Sequence, residues 1–494
     1  MEVRVRYAPS PTGLQHIGSV RTALFNYLFA RSMGGVFILR LEDTDRTRYS
    51  DAYVANLYDT FRWLGFYWDE GPDIGGPSGP YVQSECFEQY RSHAERLVEK
   101  GEAYYCFCDE DRVAKMHSDT NSEEGEGGSY GYDRACRDLD PAASAARAKA
   151  GEPHVIRLKV PLDGTTRFND LLLGDIEWKN SDVNPDPVLL KSDGYPTYHL
   201  ANIIDDHLMR VTHVLRAQEW LPSTPLHVIM YKAFGWEPPK FVHLPMVLGS
   251  DGHKLSKRHG STAMNEFRTK GYLREAIINY VAMLGASYEE GRDLYALADL
   301  ERLFRLDKLN KAPAIFDYQR LEWFNGQYIR QKSDEELYEL VLPFLSEAGL
   351  VEPSPTREHQ SLALAAMPLV KERLKFLSDA PGIMLYLFEE PPLAPVEEFI
   401  PKKLDAARTA ELLAHDAALL AACDLTDLHG SEEKFRAEAE RVGAKMGDLL
   451  MPLRVAVTGS RVSPPLFESI RLLGTEKVLA RIAAARKLLS GAGA

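Results

Sequence analysis

The sequence is 494 residues long, 45% hydrophobic and 26% charged, with a net charge of −14 at pH 7. Such a length predicts about three domains. Taken alone, the acidic balance disfavours a nucleic-acid partner, although a local basic patch is sufficient to bind one. Five cysteines are too few for a disulfide framework. Because the N-terminus lacks a signal peptide and no apolar run reaches the ~18 residues of a membrane span, we expect a cytoplasmic protein with no membrane partner.

Strands and helices alternate at the start of the chain. Val3–Tyr7 has the alternation of a β-strand, and a loop at 8–13 follows it. Val20–Arg31 has apolar residues at helical spacing, and Val36–Leu41 reads as a second, mostly buried strand. This βαβ order predicts a doubly wound parallel sheet of the Rossmann-like α/β class.

The middle of the chain interrupts this pattern. Residues 100–190 look like an insertion, and its polar, glycine-rich stretch Ser118–Ser129 is predicted to be an exposed, mobile loop. Strand-like runs resume at 187–190, 211–215 and 241–244. Beyond about 330, Leu- and Ala-rich helical periods dominate, so we expect an all-α region there.

The loop between the first strand and the first helix is a candidate phosphate site. Backbone N–H groups and the positive dipole at a helix N-terminus favour anions. Gly18 permits a close approach by a nucleotide, and His16 can donate a hydrogen bond to a phosphate oxygen. Because His-x-Gly also occurs in ordinary loops, this pattern needs a second signal.

The second signal is a cationic loop about 240 residues later, within Gly249–Gly260. Lys254, Lys257 and Arg258 place three cations within five residues, which suits the charge that develops as pyrophosphate leaves. A solvated turn is the alternative for a charged loop alone. Together, the two signals favour a nucleotide site that also includes Ser256.

These two signatures resemble the HIGH and KMSKS motifs of class I aminoacyl-tRNA synthetases. Four longer strings are similar to the bacterial glutamyl group of that family: Arg6–Gly13, Leu41–Arg46, Lys191–Asn202 and Leu215–Trp220. The likeness covers nearly the whole chain. Ser19, Leu255 and Arg258 depart from the motif names in the manner usual for that group.

The resemblance implies five parts. They are the first half of a Rossmann-like catalytic domain at 1–105, an inserted acceptor-stem-binding domain at 106–187, the second half of the catalytic domain at 188–250, a stem-contact domain with the cationic loop at 251–325, and an α-helical anticodon-binding region at 326–494. Glutaminyl synthetases have β-barrels in the last part. Few alternating strands appear there, which disfavours the glutaminyl group.

The resemblance also implies the activity. Glutamate would be activated by ATP and transferred to tRNA-Glu by a monomeric ligase, with Mg²⁺ accompanying the ATP. His16, Lys254 and Lys257 would be catalytic, and Gly18, Glu219, Ser256 and Arg258 would complete the ATP site. The sequence leaves open whether tRNA-Gln is also charged, with Lys371 and Arg373 as candidate discriminators. A non-catalytic RNA-binding relative is the alternative, but it would lack His16, Lys257 or the pocket arginines.

Glutamate has two carboxylates and one ammonium, so its pocket requires cations and an anion. Arg6 and Arg216 lie at the ends of predicted strands, and a guanidinium binds a carboxylate through a two-bond fork. Glu42 would hold the ammonium. Tyr198 and Asn202 share one face of a predicted helix. The resemblance adds Ala8 and Ser10, and the alternative is that Arg6 and Glu42 simply pair across adjacent strands.

Three of the five cysteines fall in the insertion. Cys106, Cys108 and Cys136 could bind a structural Zn²⁺, with thiolates as the preferred ligands. Related synthetases have a histidine where this chain has Asp138, and a smaller paralogue group uses the tyrosine that matches Tyr132, so the fourth ligand stays open. Buried, apolar cysteines without a metal are the alternative.

The last part of the chain has a basic segment. From residue 461 onward the cations are Arg461, Arg471, Lys477, Arg481, Arg486 and Lys487, against two glutamates. A basic helical face favours phosphate binding, and an ordinary solvated helix face is the alternative.

Overall fold

The structure is a computed structural model that describes residues 2–45, 48–109, 111–112 and 132–492. The predicted mobile loop Ser118–Ser129 lies outside these residues. The chain forms two compact units: Met1–Phe267 with Ile277–Tyr318, and Arg268–Ala276 with Gln319–Ala494.

The strands lie in the first unit. They are β1 (Arg4–Tyr7), β2 (Val36–Leu39), β3 (Ala103–Cys106), β4 (Val155–Leu158), β5 (Thr165–Asp170), β6 (Gly174–Lys179), β7 (Val188–Leu190), β8 (His213–Ala217), β9 (Lys240–Leu244), β10 (Val247–Leu248) and β11 (Ala314–Ile315).

The helices occur in both units. Up to residue 303 they are α1 (Ile17–Ser32), α2 (Asp51–Leu64), α3 (Phe87–Glu99), α4 (Pro141–Lys149), α5 (Tyr198–Leu208), α6 (Thr224–Phe234), α7 (Met264–Thr269), α8 (Arg274–Ala282) and α9 (Leu297–Leu303). Beyond it they are α10 (Tyr318–Gln331), α11 (Asp334–Glu347), α12 (Arg357–Val370), α13 (Ala380–Phe388), α14 (Val396–Phe399), α15 (Ala406–Ala422), α16 (Leu428–Arg441), α17 (Met446–Thr458), α18 (Leu466–Leu473) and α19 (Thr475–Ala492).

The βαβ unit predicted at the start of the chain is confirmed. β1 and β2 pair in parallel, with Arg4 opposite Val36 and Tyr7 opposite Leu39. α1 connects them and packs on β1, β2 and β8 and also on α9. Because it is covered on several sides, α1 is buried nearly all round rather than along one stripe.

A second set of strands extends this layer. β8 and β9 run parallel, β5 pairs with β9, and β6 is antiparallel to β5, so the sheet is mixed. The backbone N–H of Thr212 donates to the carbonyl of Arg4 at 2.9 Å, which places β8 beside β1. The carboxyl ends of β1, β2, β8 and β9 therefore lie close together.

The insertion differs from its predicted boundaries. β3, β4 and β7 form their own antiparallel sheet, so the strand at 188–190 pairs inside the insertion rather than with the catalytic sheet. In the opposite sense, β5 and β6 fall in the range predicted for the insertion, but they belong to the sheet of β8 and β9. The β-propensity of a segment indicates that it fits a half-buried, pleated position, but it does not indicate which strand it pairs with.

The second unit confirms the predicted all-α region, since its described residues contain no strand. One cation of the predicted basic segment is internal: Arg481 is 5% exposed and donates to the carbonyls of Tyr386 and Val457. Arg481 therefore stabilises the buried side of α19 and does not contribute to a phosphate-binding face. Within the described ranges, no helix combines the length and apolar character needed to cross a membrane.

Candidate active site

A cavity of about 570 Å³ lies where β1, β2, β8 and β9 end. Its walls bring together most of the predicted site residues: Arg6, Ala8, Ser10, His16, Gly18, Glu42, Tyr198, Asn202, Arg216, Glu219, Lys254, Ser256 and Lys257. Arg258 is exposed and does not line the cavity. Cavities of this size accommodate cofactors and drug-sized ligands.

His16 is the N-cap of α1, and Ser19 holds it there. The His16 backbone N–H donates to Ser19 Oγ at 2.9 Å, and the Ser19 backbone N–H donates to His16 Nδ1 at 3.2 Å. Since Nδ1 accepts, the proton of the neutral ring is on Nε2, which is free to donate to a ligand. Burial and the nearby Lys254 lower the pKa of His16. A Cβ on Gly18 would lie 3.3 Å from the imidazole, which explains the glycine.

The cationic loop follows β10 and is fixed by local contacts. Lys254 forms an ion pair with Glu219. His259 lies 2.9 Å from Asp251, and this contact lowers the pKa of Asp251 to about 2. The side-chain ammonium of Lys257 has no hydrogen bond or ion pair with a described residue, so it is available to a polyphosphate.

A buried network of charges surrounds Arg6 on β1 and Glu42 just after β2, two of the residues predicted for the glutamate pocket. Arg6 Nε lies 3.0 Å from Asp206 Oδ1, and Arg40 Nη1 lies 2.7 Å from the same oxygen. Arg40 Nη2 lies 3.0 Å from Glu42 Oε1. Arg6 and Glu42 therefore pair with Asp206 and Arg40, not with each other as the alternative expected. Burial raises the pKa of Glu42, although Arg40 opposes this effect.

Tyr198 and Asn202 confirm the predicted helical spacing. Asn202 Nδ2 donates to the Tyr198 hydroxyl at 3.0 Å and lies 3.5 Å from Glu42 Oε1. The ring of Tyr198 packs on Trp220, with 4.6 Å between centroids. Burial raises the pKa of Tyr198 to about 12, so its hydroxyl remains protonated at neutral pH.

Arg216 lies at the end of β8 and is 5% exposed. Its Nε and Nη1 face His243 Nε2 and His227 Nδ1, at 3.1 and 3.2 Å, and Nη2 donates to Thr224 Oγ1 at 2.8 Å. No carboxylate among the described residues pairs with it. Burial lowers the pKa of Arg216. Neither histidine is predicted from the sequence, and only the short spacing of His227 from Arg216 is a local signal for one of them.

Comparisons with known proteins agree with this arrangement. The family model described as tRNA synthetases class I (E and Q), catalytic domain, matches residues 2–323. The chain is 60% identical to a glutamate–tRNA ligase of Treponema denticola over 98% of each chain, and 50% identical to one of Borreliella burgdorferi over 99% of each. This chain belongs to the glutamate–tRNA ligase family of class I tRNA synthetases.

Two further comparisons extend the family assignment beyond the catalytic part. A model described as an anticodon binding domain matches residues 336–486, within the all-α region. The crystal structure of a glutamate tRNA ligase from Elizabethkingia meningosepticum in complex with its amino acid has a TM-score of 0.88 and 34% identity, covering 99% of this chain and 100% of that one. A crystal structure of a similar protein therefore covers nearly the whole length of this family member.

A cysteine cluster lies at the end of β3 in this glutamate–tRNA ligase family member. The sulfur atoms of Cys106, Cys108 and Cys136 lie within 4.8 Å of one another. A tetrahedral Zn²⁺ with bonds of about 2.3 Å separates its sulfurs by about 3.8 Å, and Cys108 and Cys136 are already 3.7 Å apart. The three thiols thus fit the ion. The Tyr132 hydroxyl lies 3.1 Å from Cys106 Sγ, whereas Asp138 is not in the group.

Proposed function

We propose that this chain is a glutamate–tRNA ligase that activates glutamate with ATP and transfers it to the 3′ end of tRNA-Glu. One observation carries the proposal. A single cavity joins two buried arginines, a buried carboxylate, the His16 helix start and the lysines of the cationic loop. These are the charges that a dicarboxylic amino acid and a nucleoside triphosphate require together.

The first step needs no nucleophile from the protein. An oxygen of the glutamate α-carboxylate attacks the α-phosphorus of ATP, the bond to the bridging oxygen breaks, and pyrophosphate leaves. Catalysis is then positioning and charge stabilisation. His16 donates from Nε2 to a phosphate oxygen, and Lys254 and Lys257 neutralise the departing pyrophosphate. Mg²⁺ accompanies ATP as a partner of its phosphates.

Glutamate is recognised by its charges. Arg216 receives the side-chain carboxylate, because it is a buried cation that has no ion pair with a described residue. Asp206 engages only the Nε of Arg6, so the two Nη atoms remain to bind the substrate. Glu42, beside Asn202 and Tyr198, receives the ammonium. Ala8 and Ser10 complete the wall of the proposed glutamate pocket.

The second step is ester formation on tRNA. The terminal ribose hydroxyl attacks the carbonyl of glutamyl-adenylate, AMP leaves, and an aminoacyl ester results. The insertion, whose own sheet consists of β3, β4 and β7, holds the acceptor arm together with the stem-contact segment at 251–325, and the helical region at 326–494 holds the anticodon. The chain acts as a monomer in the cytoplasm.

Glutamylation of purified tRNA tests the proposal. The chain should form glutamyl-tRNA-Glu from ATP, glutamate and Mg²⁺. Lys257→Ala should lower the rate about 10²- to 10³-fold, because a charge that faces the transition state is lost. Lys232→Ala removes an exposed lysine of α6 and should leave the rate unchanged. Binding of tRNA without any aminoacylation would favour the non-catalytic alternative, and a parallel assay with tRNA-Gln measures specificity.

Cys106, Cys108 and Cys136 would hold a structural Zn²⁺, with Tyr132 as the fourth ligand. Such an ion would cross-link β3 to the segment around Cys136 and would take no part in the reaction. Purified chain should contain about one zinc ion, and Cys136→Ser should lose it. Tyr132→Phe should weaken zinc retention during dialysis against a chelator, whereas Asp138→Asn should not. The reverse result would make Asp138 the ligand.

A further inference from the structure

Two buried histidines hold Arg216, and the proposed reaction does not use either of them. His243 is 0% exposed and His227 is 2% exposed. Arg216 Nε donates to His243 Nε2, and Arg216 Nη1 donates to His227 Nδ1. A guanidinium has N–H donors and no acceptor, so each ring must offer a lone pair. Both histidines are therefore neutral.

Each ring has a second partner that fixes its tautomer. Asp170 Oδ2 lies 2.7 Å from His243 Nδ1, which places the proton there and the lone pair on Nε2. His199 Nδ1 lies 3.0 Å from His227 Nε2, so His227 donates from Nε2 and accepts at Nδ1. Asp170 is itself fixed, because its Oδ1 accepts the backbone N–H groups of Leu172 and Leu173.

The two histidines and their partners orient the guanidinium of Arg216 without neutralising its charge. Arg216 has no carboxylate partner among the described residues, although it is buried. A buried charge without a counterion is costly, and the side-chain carboxylate of glutamate would supply the counterion. The amide of glutamine is isosteric, but it carries no charge and would turn either an N–H donor or a weaker acceptor toward the guanidinium.

We propose that His227 and His243 are positioning residues that aim Arg216 at the substrate's side-chain carboxylate and, by remaining neutral acceptors, help to select glutamate over glutamine. This inference rests on the proposed function. Burial lowers the pKa of both rings, and the charge of Arg216 lowers it further, against the influence of Asp170 on His243. Both rings therefore stay neutral at pH 7.

Two pairs of variants test the inference on the full chain. His227→Leu and His243→Leu remove the acceptors. His227→Asn and His243→Gln each keep a hydrogen-bond acceptor. The amide oxygen of asparagine approximates the position of His227 Nδ1, and that of glutamine approximates the position of His243 Nε2. Each leucine variant should raise the glutamate KM about 10- to 100-fold and leave the ATP KM unchanged, since a hydrogen bond to a charged group is lost. The amide variants should recover most of the loss.

Discrimination is the second readout. The ratio of kcat/KM for glutamate to that for glutamine should fall in the leucine variants, a change that a purely structural role would not produce. His207→Leu is the matched control, because His207 lies on α5 and stacks on Trp236, with 3.7 Å between centroids, away from Arg216. Thermal melting confirms that each variant is folded.

The outcomes separate the two proposals. An unmodified chain that forms no glutamyl-tRNA contradicts the proposed function. An active chain whose folded leucine variants keep both the glutamate KM and the discrimination ratio within about twofold overturns the role of the histidines. If the leucine variants do not fold, His243→Asn replaces them, because its shorter side chain does not reach Arg216 Nε. A raised glutamate KM supports the inference, and an unchanged one overturns it.

Discussion

Arg6 and Arg216 are both buried arginines at strand ends, yet their electrostatic surroundings differ. Arg6 has an ion pair with Asp206, whereas Arg216 has neutral partners and no ion pair with a described residue. Under the proposed function, the carboxylate of the substrate supplies the counterion of Arg216. Of the two, Arg216 should be the residue on which recognition of the side-chain carboxylate depends.

We expect Arg216→Gln to lower kcat/KM for glutamate about 10²- to 10³-fold, because a buried, charge-assisted contact with the substrate is lost. The KM for ATP should remain within about twofold. Steady-state kinetics with varied glutamate and then varied ATP measure both values. Arg31→Gln is the control, because its ion pair with Asp69 lies in a half-exposed position. Equal losses in the two variants would contradict the assignment.

Asp416, on α15, is a buried carboxyl group whose oxygens have no hydrogen-bond partner among the residues that the structure describes. Burial raises its pKa well above the ordinary value, and Glu438 adds to the effect. The folded chain therefore holds this proton more tightly than the unfolded chain. Above the unfolded pKa of about 3.9, the stability contributed by this group falls as pH rises.

Asp416→Asn should therefore stabilise the chain by about 1–3 kcal/mol at pH 8, and the gain should shrink as the pH falls toward 4, where the carboxyl group is neutral in the folded chain and about half protonated in the unfolded chain. Denaturant unfolding at several pH values measures this difference. Glu440→Gln, at an exposed position of α16, is the control and should show no such pH dependence. A gain that is equal at pH 4 and pH 8 would exclude a charge effect.

The sequence predicted that Arg6, Glu42 and Arg216 lie at or just after the ends of strands, and the structure brings the three side chains to one cavity. Their roles stay predictions. Their supporting partners are different. Asp170 and His243 are 73 positions apart and meet only because β5 pairs with β9, so no local pattern marks them.

At the scale of elements, we expect the start of α1 to affect both the stability of the fold and the proposed catalysis. Ser19 closes the reciprocal cap that fixes the His16 ring. We expect Ser19→Ala to lower the free energy of unfolding by about 0.5–2 kcal/mol, the usual effect of losing a cap. It should also lower kcat about tenfold, because the backbone of His16 loses its hydrogen bonds with Ser19 Oγ and the ring that it carries is held less firmly.

Ser19→Thr keeps the hydroxyl and should retain both properties. Thermal melting and the rate of ATP–pyrophosphate exchange measure them. A Ser19→Ala variant that loses stability but keeps its full rate would show that the cap is structural only.

The sequence predicted which segments are strands better than which strands pair. The strand at 188–190 exists, but it joins β4, and β5 joins β9 across the expected boundary. Pairing depends on contacts between residues far apart in the chain, and hydrophobic alternation is the same for either partner. The helices beyond 330 were predictable because their periodicity is local.

At the scale of the whole molecule, the cavity belongs entirely to one of the two compact units. All of its lining residues fall between Arg6 and Thr262, whereas Asp416 belongs to the other unit. Chains with several compact units often depart from two-state unfolding. Ligands of the cavity and substitutions at Asp416 should therefore affect the unfolding transitions of different units.

We expect two calorimetric transitions. Glutamate with a non-hydrolysable ATP analogue, each at about 100 times its Kd, should stabilise one of them by at least ~2.7 kcal/mol. Asp416→Asn at pH 8 should raise the other and leave the first unchanged. A single transition that responds equally to the ligands and to the substitution would show that the units unfold together.

The uncompensated guanidinium of Arg216 also restricts inhibitor chemistry. A competitive compound with a neutral tail would bury that cation without a counterion, so tight binding requires an acid at the same place. Anions cross lipid bilayers poorly, because hydrocarbon does not solvate charge. A compound against this cavity would therefore have to enter cells as a masked acid, such as an ester, and regain its charge inside.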